Sequence, residues 1–355
     1  MGELFAKSYS RDRIMNEFFP KNMLVTGSAG FIGSNFVRYI LSKGTDIRIV
    51  SLDKLTYAGN RANLANLPNP SRHVFVQGDI CDRKLVDELL HKYEIEAVVH
   101  FAAESHVDRS IIEPSAFILT NVIGTFTLLE AVRDYWLGKK KWNYKHCRFH
   151  HVSTDEVYGE LGPDAPAFIE TMPYLPSSPY SASKAASDHL VRAYFRTYQL
   201  PITISNCSNN YGPYQHSEKL IPTVIRRCVE QKPIPVYGDG SNIRDWLYVE
   251  DHCRAIDVIL TRGVIGETYN IGGNCEMDNL SLVKTICGLM DKKRPRKDKH
   301  SKLITFVEDR PGHDWRYAIN DTKIRQLLKW KSGYTFKEGL KLTIDFNIKR
   351  YFDNC

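Results

Sequence analysis

Tyr180 and Lys184 stand four residues apart in Tyr180-Ser181-Ala182-Ser183-Lys184, a spacing that puts a phenol and an ammonium on one face of a helix. A nearby cation lowers the pKa of a phenol, as a phenolic base at neutral pH requires. Upstream, Ser153-Thr154-Asp155-Glu156 closes an apolar run with a hydroxyl and two adjacent carboxyl groups. Adjacent carboxyls in unlike protonation states can act as general acid and general base side by side, an arrangement that a simple oxidation would not use. A third group is the GxxGxxG turn Gly27-Ser28-Ala29-Gly30-Phe31-Ile32-Gly33, which follows the apolar run Met23–Thr26. One glycine permits a tight turn, one lets backbone approach a pyrophosphate, and one lets helix pack on strand, with the helix N-terminus facing the phosphates. Asp53 falls twenty residues after Gly33, where a carboxylate accepts hydrogen bonds from a ribose 2′-hydroxyl and repels a 2′-phosphate. Lys54 beside it softens that preference without reversing it, so the expected cofactor is NAD.

Positioning these groups takes a particular scaffold. Residues 22–160 alternate short β-branched runs (Asn22–Thr26, Ile47–Leu52, His73–Gln77, Ala97–Phe101, Arg148–Ser153) with helical patterns (Phe31–Ser42, Arg83–Lys92, Pro114–Trp136). The last of these patterns places Phe117, Val122, Phe126, Leu129 and Val132 on roughly one face. Such alternation predicts βαβ units and a Rossmann-like, doubly wound parallel sheet, whose ligands bind at the carboxyl ends of strands. After Tyr180 a helix to about Gln199 and a strand at Ile202–Asn206 are expected, then a loop rich in Asn, Gly and Pro. Alternation weakens beyond that point. The reading is an N-terminal extension over 1–21, a dinucleotide-binding domain over 22–205 with a returning segment near 239–275, and a smaller α/β substrate-binding lobe made mainly of 206–355.

Composition narrows the function classes. The 355 residues are 43% hydrophobic and 25% charged, enough for one or two packed cores. Net charge is +7, and Lys292–Lys302 holds seven Lys or Arg against one Asp, so the basic excess sits in one solvated loop. A nucleic-acid partner is not expected. No run reaches the roughly 18 uncharged apolar residues of a membrane helix, and the charged N-terminal segment does not read as a signal peptide. Eight scattered cysteines with no CxxC pair fit reduced thiols in the cytoplasm and no metal site. His100, His150 and His151 lie in or at the end of strands and read as core histidines.

Together these residues resemble the extended short-chain dehydrogenase/reductases, and Thr154-Asp155-Glu156-Val157-Tyr158-Gly159 resembles the sugar-nucleotide 4,6-dehydratases among them. The resemblance runs over nearly the whole chain, through Asp53-Lys54-Leu55-Thr56-Tyr57-Ala58-Gly59, Phe101-Ala102-Ala103-Glu104-Ser105-His106-Val107-Asp108, Ser208-Asn209-Asn210-Tyr211-Gly212-Pro213-Tyr214, Glu218-Lys219-Leu220-Ile221-Pro222, Arg244-Asp245-Trp246-Leu247-Tyr248-Val249-Glu250-Asp251 and Asp309-Arg310-Pro311-Gly312-His313-Asp314. It implies an NAD-dependent dehydration of a nucleoside diphosphate glucose, dTDP-glucose with UDP-glucose as the alternative, feeding deoxysugar synthesis of the rhamnose type. A non-catalytic scaffold of the same fold would be expected to have lost Tyr180, Lys184 or the carboxylate pair.

The resemblance also assigns roles. Thr154, Asp155, Glu156, Tyr180 and Lys184 are the catalytic group: Tyr180 takes the carbon-4 hydroxyl proton, Glu156 the carbon-5 proton, and protonated Asp155 serves the hydroxyl leaving carbon 6. Cofactor contacts fall on Gly27, Gly30, Phe31, Ile32, Gly33, Asp53, Lys54, Thr56, Asp79, Ile80, Phe101, Ala102, Ala103, Thr120, Tyr180, Lys184 and Asn210, with Asn121 an alternative to Thr120. Substrate contacts fall on Ser105, Thr154, Asp155, Glu156, Asn209, Lys219, Leu220, Arg244, Asn279, Arg310 and His313, with Pro235, Val236 and Tyr237 beside the base. Relatives pair the helices near Pro114–Trp136 and Tyr180–Gln199 into a four-helix homodimer interface, to which Leu128, Leu129, Leu190 and Tyr194 could contribute. Three positions depart from the family: Ser28 where many relatives have glycine, and Asn206 and Trp315 where arginine is common.

Overall fold

The structure, a computed structural model, describes residues 17–309 and 312–353. Five strands form as the alternation requires: β1 (Asn22–Thr26), β2 (Arg48–Asp53), β3 (His73–Gln77), β4 (Ala97–His100) and β5 (Arg148–Thr154). They are followed by β6 (Ile202–Cys207), β7 (Asn209–Tyr211), β8 (Ile234–Tyr237), β9 (Ile243–Tyr248), β10 (Thr268–Ile271), β11 (Glu276–Asp278) and β12 (Ile304–Val307). Seven of them make one parallel sheet in the order β10-β6-β5-β4-β1-β2-β3. The chain winds outward from β1 on one side and then crosses to β4, so the switch point lies between the carboxyl ends of β1 and β4, where such sheets bind ligands.

Period-2 alternation divides the core between two faces. Leu24, Val50 and Val98 pack with Leu89, Leu128, Val132 and Val191, from the helices Arg83–Lys92, Pro114–Lys139 and Pro179–Tyr198. Met23, Val25, Ile49 and Val99 pack on the other face with Phe36, Ile40, Cys253 and Ile256, from the helices Phe31–Ser42 and Val249–Arg262. Phe18 joins that second cluster, its amide bonded to Thr261 O at 2.9 Å. Of the expected N-terminal extension, residues 1–16 lie outside the described residues.

A third cluster joins Val224, Ile225 and Cys228 of the Leu220–Glu230 helix to Val283, Ile286 and Cys287 of the Asn279–Lys293 helix and to Leu340 and Ile344 of the Phe336–Asp353 helix. Beside it lie a three-stranded sheet, β11-β9-β7, and a two-strand pair, β12-β8. Within the span expected to return, β10 extends the edge of the main sheet next to β6 and the Val249–Arg262 helix packs beneath it. Strand β9, in contrast, pairs with β7 and β11 in the smaller sheet.

The Pro114–Lys139 helix is the one described helix whose length and mean hydropathy (1.5 over 18 residues) would suit a bilayer. Half of that window is buried, with Leu128, Leu129, Val132 and Trp136 fully inside, which is the pattern of a core helix. It contains π-helical turns at Ile118–Gly124 and Arg133–Lys139, on either side of the α-helical segment Thr125–Val132. Phe126, expected inward, is exposed. Leu128, Leu129 and Tyr194, expected on a dimer surface, are buried within the protomer, and Leu190 packs on the same core. Exposed apolar side chains here include Ile111, Ile112, Ile118, Leu119, Ile123 and Phe126.

Candidate active site

The carboxyl ends of β1, β2, β4, β5 and β6 open into a cavity of about 320 Å³, within the size range of small-molecule sites. At its floor Gly27 takes a left-handed backbone (φ +66°), and a Cβ there would stand 2.6 Å from Ala102 N. A Cβ on Gly33 would collide with Gly27 O. The turn therefore needs glycine at these two positions, whereas Ser28 between them keeps a negative φ that any residue adopts. Asp53 ends β2 with Oδ2 accepting from Ala29 N and Oδ1 from Leu55 N, both at 2.8 Å. Burial raises its pKa against these bonds. Lys54 is drawn to Asp79, 2.7 Å away, after β3.

The catalytic candidates converge from two elements. The Pro179–Tyr198 helix opens with a capping box, in which Ser178 Oγ accepts from Ser181 N (3.1 Å) and Ser181 Oγ accepts from Ser178 N (3.0 Å), with Pro179 at its first position. This fixes Tyr180 in the first turn and Lys184 one turn later. Lys184 is 4% exposed and its Nζ donates to Val152 O of β5 at 2.9 Å. Burial lowers its pKa, against the charge of Asp188. Tyr180 is pushed well above the ordinary phenol range, first by burial and next by Glu156, while a hydrogen bond with Thr154 pulls the other way.

Thr154, Asp155 and Glu156 leave the end of β5 in a tight turn, where Thr154 Oγ1 accepts from Glu156 N at 3.3 Å. Asp155 is 2% exposed. Burial and then the charge of Glu156 drive its carboxyl far above the usual range, and Arg244 opposes them only in part, which favours the protonated acid. Its Oδ2, like Asn209 Oδ1, is buried without a hydrogen-bond partner. Both residues line the cavity, and such orphaned atoms are placed for a ligand.

All of the cofactor candidates line this cavity: Gly27, Gly30, Phe31, Ile32, Gly33, Asp53, Lys54, Thr56, Asp79, Ile80, Phe101, Ala102, Ala103, Thr120, Tyr180, Lys184 and Asn210. So do Ser105, Asn209 and Lys219 among the substrate candidates, with Lys219 Nζ on Ser105 O at 3.3 Å. Asn121 sits behind the wall instead, bonding both backbone groups of Glu104 (2.8 and 3.0 Å) and Ser183 Oγ (2.8 Å).

The other described substrate candidates lie outside the lining. Leu220 opens the helix after Lys219, and Asn279 N bonds Asn242 O at 3.0 Å. Pro235, Val236 and Tyr237 lie in β8, with the ring of Tyr237 edge-on to that of His313. Arg244 is buried, its Nη2 on Asp314 O at 2.9 Å and its guanidinium 4.5 Å from the ring centre of Tyr317. Arg310 lies outside the described residues.

The sequence reading missed Ala58, Gly59, Gly78, Glu104, Cys207, Ser208, Gln215, His216 and Glu218 as lining residues. Glu104 and Cys207 could have been found by extending the strand-end rule past β4 and along β6. The departures prove locally self-consistent. Asn206 Nδ2 supports Thr154 O at 3.1 Å, and Trp315 joins the site through its backbone, its carbonyl accepting from Ile243 N at 2.8 Å.

The family model described as GDP-mannose 4,6 dehydratase matches residues 24–343. A dTDP-glucose 4,6-dehydratase of Xanthomonas campestris is 57% identical over 327 residues, 92% of each chain. Two solved dTDP-glucose 4,6-dehydratases superimpose on this chain. That of Streptomyces venezuelae, with NAD bound, has a TM-score of 0.85 and 44% identity, covering 93% of this chain and 98% of its own. That of Bacillus anthracis, also with NAD, has a TM-score of 0.82 and 45% identity, covering 93% and 97%. With the family model matching residues 24–343 and 57% identity over 92% of the chain, the chain belongs to the dTDP-glucose 4,6-dehydratase family.

Proposed function

We propose that this chain is an NAD-dependent lyase that converts dTDP-glucose to dTDP-4-keto-6-deoxyglucose. The observation that carries the reading is the buried carboxyl of Asp155 beside Glu156, in the same cavity as Tyr180 and Lys184. An oxidation or epimerisation at carbon 4 needs the phenol and the ammonium, whereas eliminating water needs an acid and a base in addition.

The cavity fits NAD. The floor at Gly27 and Gly33 is bare backbone at the helix N-terminus, which suits a pyrophosphate. Asp53 lies where a ribose would need an acceptor, and the two carboxylates Asp53 and Asp79, the second tying down Lys54, would oppose a 2′-phosphate. When bound, NAD supplies the two-electron chemistry, accepting at carbon 4 and giving back at carbon 6.

The chain's own groups move the protons. Tyr180 Oη takes the proton of the carbon-4 hydroxyl, which Thr154 steadies, and a ketone forms at carbon 4. The ketone acidifies carbon 5, whose proton passes to a carboxylate oxygen of Glu156. The hydroxyl on carbon 6 leaves as water with the proton of Asp155. Glu156 then returns its proton to carbon 5. The proton gained at Tyr180 matches the one lost at Asp155, so exchange with solvent resets the site. Lys219, Arg244, Asn279, Arg310 and His313 would hold the nucleoside diphosphate, guanidinium and ammonium suiting its phosphates, with Pro235, Val236 and Tyr237 beside the base.

Two further readings belong to this proposal. The exposed row Ile118, Leu119, Ile123 and Phe126, with Ile112 at 84% exposure, supports a homodimer through this helix and its neighbour. The seven described cysteines, all free, support a reducing, cytoplasmic setting. The test is NAD-loaded protein given dTDP-glucose and UDP-glucose in parallel, with Tyr180→Phe as control. Loss of one water in mass and an alkali-induced keto absorbance, faster with dTDP-glucose and absent in the control, are expected. No dehydration of either sugar would overturn the proposal.

A further inference from the structure

The helix that carries Tyr180 and Lys184 holds another buried charge that the proposed mechanism leaves unused. Asp188 lies one turn beyond Lys184 and has no exposed surface. Its Oδ2 accepts from Tyr174 OH at 2.8 Å and stands 3.5 Å from Asn206 Nδ2, and its Oδ1 is 3.2 Å from His151 Nε2. Arg192, a turn further on, donates to Tyr174 OH (2.6 Å) and Thr268 Oγ1 (3.2 Å). Burial, and then the charge of Lys184, hold His151 down to about 4, so at neutral pH it meets Asp188 as a neutral ring. Asp188 keeps its own charge: burial works against it, but the hydrogen bond to His151 and the nearby cations bring its pKa below the ordinary value. The carboxylate is thus ionised, dry, and bonded mainly by neutral groups.

Lys184 has the complementary problem. It is fully buried, its Nζ rests on a carbonyl, and burial drives it toward the neutral amine. His151 of β5, His100 of β4 and Cys207 of β6 face it from the sheet, and burial keeps both imidazoles and the thiol neutral. Tyr158 faces Asp188 from the turn after β5, and burial keeps its phenol neutral as well. We infer that Asp188 is a positioning residue for the reaction, holding Lys184 as an ammonium so that Tyr180 can give up its proton. The inference rests on Tyr180 being the base, as proposed above.

Asp188→Asn and Asp188→Glu, loaded with NAD, would be compared with the unaltered protein in kcat for dTDP-glucose from pH 6 to 9. A charge role moves the acid limb of Asp188→Asn upward by about one pH unit, a roughly 10-fold loss at the acid end that mostly disappears at the alkaline end. Asp188→Glu restores the original limb. A loss equal at every pH, or no loss, overturns the inference, because a purely structural residue does not move the profile. If the unaltered protein forms no keto sugar, the proposed function has failed instead, and the two failures are told apart. Should Asp188→Asn not fold, ¹⁵N-lysine spectra of the unaltered protein decide, with the Lys184 signal identified by its loss in Lys184→Met. An ammonium that persists through the pH range of activity supports the inference, and a neutral amine at pH 7 overturns it.

Discussion

Glu156→Gln separates the two halves of the proposed reaction. The amide keeps the size and hydrogen-bonding reach of the carboxylate, and the capping bond at this position runs from the backbone of Glu156 to Thr154, so the turn after β5 stays intact. What is lost is the base for carbon 5. A positioned general base contributes about 10² to 10⁴ in rate, or roughly 3–5 kcal/mol of barrier, so keto-sugar formation should fall by about a thousandfold. Oxidation at carbon 4 should survive, since Tyr180, Thr154 and Lys184 are untouched. It should even shift in a defined direction: Glu156 is the largest contribution after burial holding Tyr180 up, so removing its charge lets the phenol ionise at lower pH. Rapid mixing with dTDP-glucose should therefore show the near-ultraviolet absorbance of reduced cofactor rising and persisting. Its acid limb should lie below that of the carbon-4 oxidation in Asp155→Asn, where Glu156 remains. Product formed at nearly the unaltered rate, or an oxidation limb displaced upward, would refute the assignment of Glu156 and the electrostatic reasoning behind it.

Acid should unfold the protein steeply. His100, His150, His151 and His252 are fully buried and held neutral, chiefly by burial, with folded pKa values of about 4 for His151, about 3 for His252 and well below 6.5 for the others. Their depressed pKa values contribute stability that is complete above about pH 6.5 and lost as pH falls toward the folded values, offset in part by the raised carboxyl of Asp155. His151 and His252 alone account for a loss of roughly 2.5 kcal/mol between pH 7 and 5.5, which the raised carboxyls of Asp53, Glu104, Asp245 and Asp251 also offset in part, so a urea midpoint that falls over this range is expected. An unchanged midpoint would contradict the buried neutral rings. Gly27→Ala sets a Cβ against Ala102 and Phe101 at positive φ, and should cost about 2–4 kcal/mol of stability and abolish NAD retention on gel filtration. Leu119→Arg with Phe126→Arg, both on exposed positions, should halve the mass found by light scattering without lowering the thermal midpoint of the protomer. A dimer that persists would move the interface elsewhere.

Much of the nucleotide-binding half was legible because each βαβ unit writes its period locally. Asn22–Thr26, Phe31–Ser42, His73–Gln77 and Arg83–Lys92 run between the same residues in the structure as in the sequence reading. Errors arose where a distant partner decides the outcome. Nothing local marks Ile243–Tyr248 as a strand of the smaller sheet, because its pairing with Asn209–Tyr211 and Glu276–Asp278 depends on segments far away in sequence. Phe126 proves exposed because it lies six residues before Val132 in the α-helical segment Thr125–Val132, about 120° around the helix from it and so at the edge of the buried stripe. The chemistry-bearing residues were visible as types and spacings, but His216 and Glu218 reach the cavity by topology alone. Asp188, one turn past Lys184, was visible in sequence as a polar helix position, and only its burial gives it meaning.

Burial acts on this site with opposite signs. It raises Asp155 and so makes a carboxylic acid available at neutral pH, as water elimination needs. The same dryness raises Tyr180 and lowers Lys184, and both changes work against the first step. Exposing the site to relieve Tyr180 would ionise Asp155 and leave nothing to protonate the departing hydroxyl. A dry site can serve both steps only if the base receives local charge that the acid does not. Lys184 has a carboxylate one turn along its own helix, while Asp155 has Glu156 beside it. The two negative neighbours therefore act in complementary ways: one keeps a cation charged next to the phenol, and the other keeps a carboxyl neutral next to the leaving group. Oxidation precedes elimination because only the carbon-4 ketone acidifies carbon 5, and each of the two carboxylates serves one of those steps.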